Sequence, residues 1–154
     1  MSINTGIDNR EAIADSLSKY LASTYTLYLK TQNFHWNVVG SDFYQLHLLF
    51  ETQYEDLAGA TDELAERIRA LGFRAPASFA EYLKLSSIQE EPKTIKAKDM
   101  IAQLLADNQT MVREGQAVIK VAEHVGDAST ADMVTGRLEA HEKAAWMLRS
   151  LLES

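Results

Sequence analysis

Residues 33–72 read NFHWNVVGSDFYQLHLLFETQYEDLAGATDELAERIRALG. The stretch opens at the end of one helical pattern, breaks at Gly40, and runs a second helical pattern up to Gly72. In the second pattern Phe43, Leu46, Phe50, Leu57, Leu64, Ile68 and Leu71 recur at three-four spacing, the period of an amphipathic helix. Ser41 or Asp42 can cap its start, and Gly72 is its natural stop. His35 and His47 straddle the break between the two helices, and Glu51, Asp62 and Glu66 follow. With His47 set at zero on a helical wheel, Glu51 falls at about 40°, Asp62 at about 60° and Glu66 at about 100°. Leu46, Phe50, Leu57 and Leu64 sit at about 260–300° on the same wheel. The polar residues therefore share one face, turned away from the apolar stripe. Such a face is more often simply solvated, so spacing alone leaves a bland reading open.

Axial distance separates the readings. His47 and Asp62 are about 22 Å apart along an α-helix, and metal–ligand bonds are about 2 Å long. One chain cannot close a site over that span, but two can. If residue i of this helix faces residue 113 − i of an antiparallel copy across a two-fold axis, His47 meets Glu66 and Glu51 meets Asp62. Both pairs obey one register, as an isologous interface requires, and Ala58 and Gly59 near its centre are small enough for close approach. Imidazole and carboxylate ligands without thiolate suit ferrous iron or zinc. Trp36, Tyr44 and Tyr54 lie nearby as oxidisable aromatics.

Outward from this stretch the pattern stays helical. Ile13, Leu17, Tyr20, Leu27 and Phe34 mark a first helix over about residues 9–38. Ile101, Leu104, Met111, Val118, Ala122 and Val125 mark a third long helix, ending at Gly126. Val134, Leu138, His141, Ala145, Leu148 and Leu152 stripe a fourth, with Ser129 and Asp132 resembling a capping box at its start. Both prolines, Pro76 and Pro92, fall in the long connection between the second and third, where Phe79, Tyr82, Leu83 and Leu85 suit a short helix. The expected fold is all-α: a single-domain ferritin-like four-helix bundle with one long crossover. His141 on the apolar stripe reads as a hydrogen-bonded core histidine, and His124 as a complement to a helix C-terminus. The Glu-x-x-His element of in-bundle di-iron centres is absent from the sequence.

Composition excludes other classes. There is no cysteine, hence no disulfide framework and no thiolate site. No apolar run reaches the length of a membrane span, and the first residues lack a secretory pattern, so a cytoplasmic setting is expected. The formal net charge is −7, which opposes a polyanion unless basic residues cluster. Lys93, Lys96 and Lys98 form the densest basic group and follow Glu90 and Glu91, and residues 1–12 carry only Arg10.

The run from Asn33 to Gly40, with Phe43, Leu46, His47, Phe50, Glu51 and Tyr54, resembles the signature of the Dps miniferritins, the DNA-protecting proteins of starved cells. The run from Asp62 to Gly72 completes it. The resemblance implies a dodecameric shell that oxidises iron from Fe2+ to Fe3+, usually with hydrogen peroxide, and keeps ferric mineral inside. It implies metal ligands at His35, His47, Asp62 and Glu66, with Glu51 where many members carry aspartate. Trp36 is assigned beside them as a redox residue, and zinc is an adventitious occupant. Asp127 and Asp132 flank the region that lines the family's three-fold pore. Many members bind DNA through lysine-rich tails, which this chain lacks, so weak or absent DNA binding is expected. The alternative is a non-specific DNA-compacting protein associated with the nucleoid.

Overall fold

The computed structural model describes residues 2–153. Within it α1 spans Arg10–Asn37, α2 Phe43–Ala70, α3 Phe79–Leu85, α4 Ala97–His124 and α5 Ala128–Leu152. Helix α1 starts at Asn9, whose side-chain oxygen accepts from the Ala12 amide at 3.1 Å, satisfying one of the donors a helix start leaves open. It stops where Val38 turns extended and Gly40 takes φ +121°, a conformation L side chains rarely adopt. Helix α2 stops at Leu71, and Gly72 follows at φ +100°. The Leu71 carbonyl, exposed by that ending, accepts from Arg10 Nη1 at 2.8 Å. These breaks fall where glycine spacing puts them.

The four long helices form a bundle in which α1 packs on α2 and α4, and α5 packs on α4 and α2. All four neighbouring pairs run antiparallel. Tyr20 of α1 reaches Met111 of α4 while Lys30 reaches Asp107, and Asp56 of α2 meets Arg137 of α5 while Arg67 meets Thr130. Helices α2 and α4 are diagonal and parallel, the arrangement that a long crossover produces. Leu17, Leu27, Phe34, Phe50, Leu64, Ile68, Leu104, Met111, Val134 and Leu148 fill the centre without exposure. The whole apolar stripe read for α2 is buried except Phe43, which is partly exposed at the helix start.

Packing decides one position that periodicity does not explain. A Cβ at Gly115 would stand 2.6 Å from Leu138 Cδ2 and 3.0 Å from the Tyr20 hydroxyl. Glycine is required there for α4 to approach α1 and α5.

The start of α5 corrects the sequence reading. Ser129 and Asp132 form no capping box: the helix begins at Ala128, and Asp127 is the cap, accepting from the Thr130 amide at 2.9 Å. Arg67 Nη2 approaches the Asp127 carboxylate at 2.8 Å, tying the cap to α2. A side-chain cap opens α3, where Ser78 accepts from the Glu81 amide and donates to the Glu81 carboxylate, which also accepts from the Ala77 amide. The guanidinium of Arg74 and the Ser78 and Ala77 donors pull the Glu81 carboxyl down to about 2. No helix among the described residues is long and apolar enough to cross a membrane.

Candidate metal centre

The turn from α1 to α2 folds His47 back over His35. His35 Nδ1 lies 2.7 Å from the His47 carbonyl oxygen, and His47 Nδ1 lies 2.8 Å from the His35 carbonyl oxygen. A carbonyl only accepts, so each Nδ1 carries the proton and donates. Neither Nε2 has a hydrogen-bond partner among the described residues. A donor bond from one ring nitrogen to a carbonyl is the device that orients a metal-binding imidazole and raises its basicity. The rings stack 3.8 Å apart at 11°. Phe43 covers the His47 face at 5.1 Å, and the Tyr54 ring stands edge-on to His35 at 5.1 Å. Two imidazole rings are thus held face to face, each fixed through its Nδ1.

The acids occupy the rest of the same α2 face. Glu51, one turn beyond His47, is half-buried, and Asp62 and Glu66 are exposed. Asp62 and Glu66, one turn apart, share a hydrogen bond; that bond and the neighbouring negative charge push the Glu66 carboxyl above the usual carboxylate range. Like charges held together at a surface favour a bound cation. Among the described residues no three His, Asp or Glu side chains lie close enough to hold one metal ion. The imidazoles at the start of α2 and the carboxylates toward its end therefore stay apart among the described residues.

The remaining predicted residues separate clearly. Trp36 is 60% exposed, and Tyr44 is exposed as well. Neither stacks on another ring among the described residues. His124 sits in the last turn of α4, as expected of a dipole complement. His141 is 1% exposed. Its Nδ1 lies 2.9 Å from Asn108 Oδ1 and its Nε2 lies 3.2 Å from Arg137 Nη2. The arginine can only donate, so Nε2 accepts and Nδ1–H donates to the amide. Burial, reinforced by the Arg137 charge, holds His141 down at about 3. Arg137 also grips Asp56 with two nitrogens at 2.9 and 3.1 Å. This network ties α2, α4 and α5 together and commits both ring nitrogens of His141.

The two acids noted near the α5 start differ. Asp127 is 1% exposed and committed to Arg67 and Thr130, so it offers no free carboxylate to a pore. Asp132 is exposed. Sequence reading missed the backbone carbonyls that clamp the histidines and the covering ring of Phe43. The legible signal was spacing: His35 and His47 are twelve residues apart around a glycine turn.

Three comparisons place these features among known proteins. A family described as a ferritin-like domain matches residues 14–154. The chain is 38% identical to DNA protection during starvation protein 2 of Bacillus anthracis over 94% of this chain and 98% of that one. Among solved structures, a Dps protein from Bacillus brevis superposes with TM-score 0.91 at 35% identity, covering 94% of this chain and 97% of the other. A Dps protein from Vibrio cholerae O1, described as a member of a broad superfamily of ferritin-like diiron-carboxylate proteins, gives TM-score 0.90 at 32% identity, covering 94% and 91%.

Proposed function

Since the chain belongs to the Dps family of ferritin-like proteins, we propose that it stores iron and protects DNA by oxidising ferrous ions at sites completed by two copies of itself. The observation that carries this reading is the reciprocal clasp of His35 and His47, which leaves both Nε2 atoms without carboxylate partners among the described residues of their own chain. In an antiparallel dimer of α2 helices, Asp62 and Glu66 of a second copy complete each site, with Glu51 at its edge. A second observation supports the approach of that copy. A Cβ at Gly59 would meet nothing within 4 Å, so the isolated chain has no use for glycine in mid-helix. Glycine there costs about 0.5–1 kcal/mol relative to alanine, a cost that close helix–helix contact explains.

The chemistry follows from the ligands. Ferrous iron is the substrate; the imidazoles hold it, and the carboxylate oxygens favour the harder ferric product. Two ferrous ions and one hydrogen peroxide, with two protons, give two ferric ions and two waters, so no hydroxyl radical escapes. The Asp62 carboxylate beside it raises Glu66 above the usual carboxylate range, and an incoming cation relieves that repulsion. Trp36, adjacent to His35, is assigned as an auxiliary electron donor, and zinc as a competing occupant. Ferric product accumulates as mineral inside a dodecameric shell in the cytoplasm.

DNA protection in this reading comes from removing iron and peroxide. Arg10, the only base in residues 1–12, is bonded to the Leu71 carbonyl and lies over the Phe73 ring. Residues 2–12 therefore offer no free basic side chain to a phosphate backbone. Gel-shift titration at physiological salt should give no retarded band, and tight binding that weakens steeply with salt would favour the DNA-compacting alternative.

The decisive test is complementation. His47→Ala and Asp62→Ala chains should each be inactive alone. In a random mixture, half the dimers pair unlike chains, and each such dimer keeps one intact site of its two. Peroxide-dependent iron oxidation should recover to about a quarter of the parental rate. No recovery in mixtures shown to co-assemble would place the site within one chain and overturn the reading.

A further inference from the structure

Four tyrosines form a continuous ladder that begins at the histidine clasp and leads away from it. The Tyr54 ring stands 5.1 Å from His35, and Tyr28 lies 6.0 Å from Tyr54. Tyr25 lies 5.5 Å from Tyr28, and Tyr82 stacks on Tyr25 at 4.8 Å and 22°. Every step falls within the range of direct aromatic contact. Three helices contribute: α2 gives Tyr54, α1 gives Tyr28 and Tyr25, and α3 gives Tyr82. The Tyr82 hydroxyl donates to the Pro76 carbonyl at 2.7 Å, and the stacked pair borders a cavity of about 370 Å³ with Lys30 and Phe79 on its wall. Core packing does not need phenols here. Tyr25, Tyr28 and Tyr54 are all partly exposed, whereas Leu27, Phe34, Phe50 and Leu64 of the same helices fill the core.

We propose that Tyr54, Tyr28, Tyr25 and Tyr82 form a relay that carries an oxidising equivalent from the iron-oxidising site to the Tyr25–Tyr82 stack. This rests on the proposed iron oxidation at His35 and His47. The relay matters when a site holds a single ferrous ion. One ferrous ion gives hydrogen peroxide one electron, leaving a ferric ion, a hydroxide and a hydroxyl radical. Tyr54 gives that radical a hydrogen atom, so water forms and a tyrosyl radical remains. Each later step moves one electron and one proton from the next phenol to the radical before it. The oxidising equivalent rests on the stacked rings until a later ferrous ion reduces it: that ion becomes ferric, and the tyrosyl takes the electron and a proton. The sum is again two ferrous ions per peroxide. Trp36, exposed and outside the ladder, is not on this path.

The assembled protein should be loaded with one ferrous ion per site without oxygen, mixed with equimolar hydrogen peroxide, and frozen at intervals for electron paramagnetic resonance. A parallel sample carries a hydroxyl-radical spin trap. The parent should develop a tyrosyl signal that a second ferrous addition discharges. Tyr28→Phe keeps the ring and severs the ladder beyond Tyr54. Its long-lived tyrosyl signal should fall to less than half, and trapped hydroxyl radical should rise several-fold. Tyr25→Phe should behave likewise. Signals and trap yields unchanged in Tyr28→Phe and Tyr25→Phe would overturn the relay, as would a radical abolished by Trp36→Phe. If the parent oxidises iron without any protein radical, the relay fails while the proposed function stands. If the parent does not oxidise iron with peroxide, the proposed function itself fails.

Discussion

Two histidine clusters in this chain use the same side chain in opposite ways. At the α1–α2 turn, His35 and His47 each spend Nδ1 on a backbone carbonyl and keep Nε2 free. At the bundle centre, His141 spends both nitrogens, one on Asn108 and one on Arg137. Burial does not separate the two, since His35 is 5% exposed and His141 1%. What separates them is hydrogen-bond accounting. A histidine with one nitrogen donated to a carbonyl is oriented and keeps the other available to a ligand, whereas one with both nitrogens committed is a structural link.

Removing each kind of histidine should therefore damage a different property. His47→Ala should slow peroxide-dependent iron oxidation by about 100-fold, equivalent to about 2.7 kcal/mol in the barrier. Its denaturant midpoint should move little. His141→Ala should reverse the pattern, costing about 2 kcal/mol in denaturant unfolding because Asn108 and Arg137 lose their partner in a dry interior. Folded material should still oxidise iron. Comparable loss of activity in both variants would break the distinction.

Acid should sharpen it. The folded-state value of His141 lies near 3, below the ordinary 6.5. The unfolded chain therefore binds the extra proton first as pH falls. Its contribution to stability is complete above about 6.5 and is lost progressively toward 3. Urea midpoints measured across that window should fall with pH in the parent, and His141→Gln should flatten part of the slope.

Two smaller effects test the surfaces. Gly59→Ala should favour the isolated helix by about 0.5–1 kcal/mol, yet weaken the assembly if a second α2 crosses there. Light scattering against thermal stability would separate those contributions. Asp132→Asn should leave stability unchanged, because Asp127 does the capping at α5. A slower initial iron uptake at low ferrous concentration would then report a role in cation entry.

Much of the fold was legible in order along the chain. Glycine breaks and apolar periodicity located all four long helices, and the Phe79–Leu85 helix was visible in its aromatic and leucine spacing. The α5 start was misread because Ser129 and Asp132 match a local pattern; the true cap, Asp127, bonds the Thr130 amide and is also held by Arg67, about sixty residues earlier. Gly115 was opaque for a similar reason: its neighbours Leu138 and Tyr20 come from two other helices.

The candidate site divides along the same line. From the sequence alone, the wheel of α2 put Glu51, Asp62 and Glu66 on the face of His47, and the helical rise showed that one chain could not close a metal site over that span. These are properties of a single helix, set by local geometry, so residue spacing suffices to state them. Only the tertiary structure decided which histidine nitrogens are free, that His141 is locked to Asn108 and Arg137, that Asp127 is consumed by Arg67, and that four tyrosines touch in series. Hydrogen-bond partners and ring contacts between helices depend on the rotation and crossing of packed elements, which spacing along one chain does not encode.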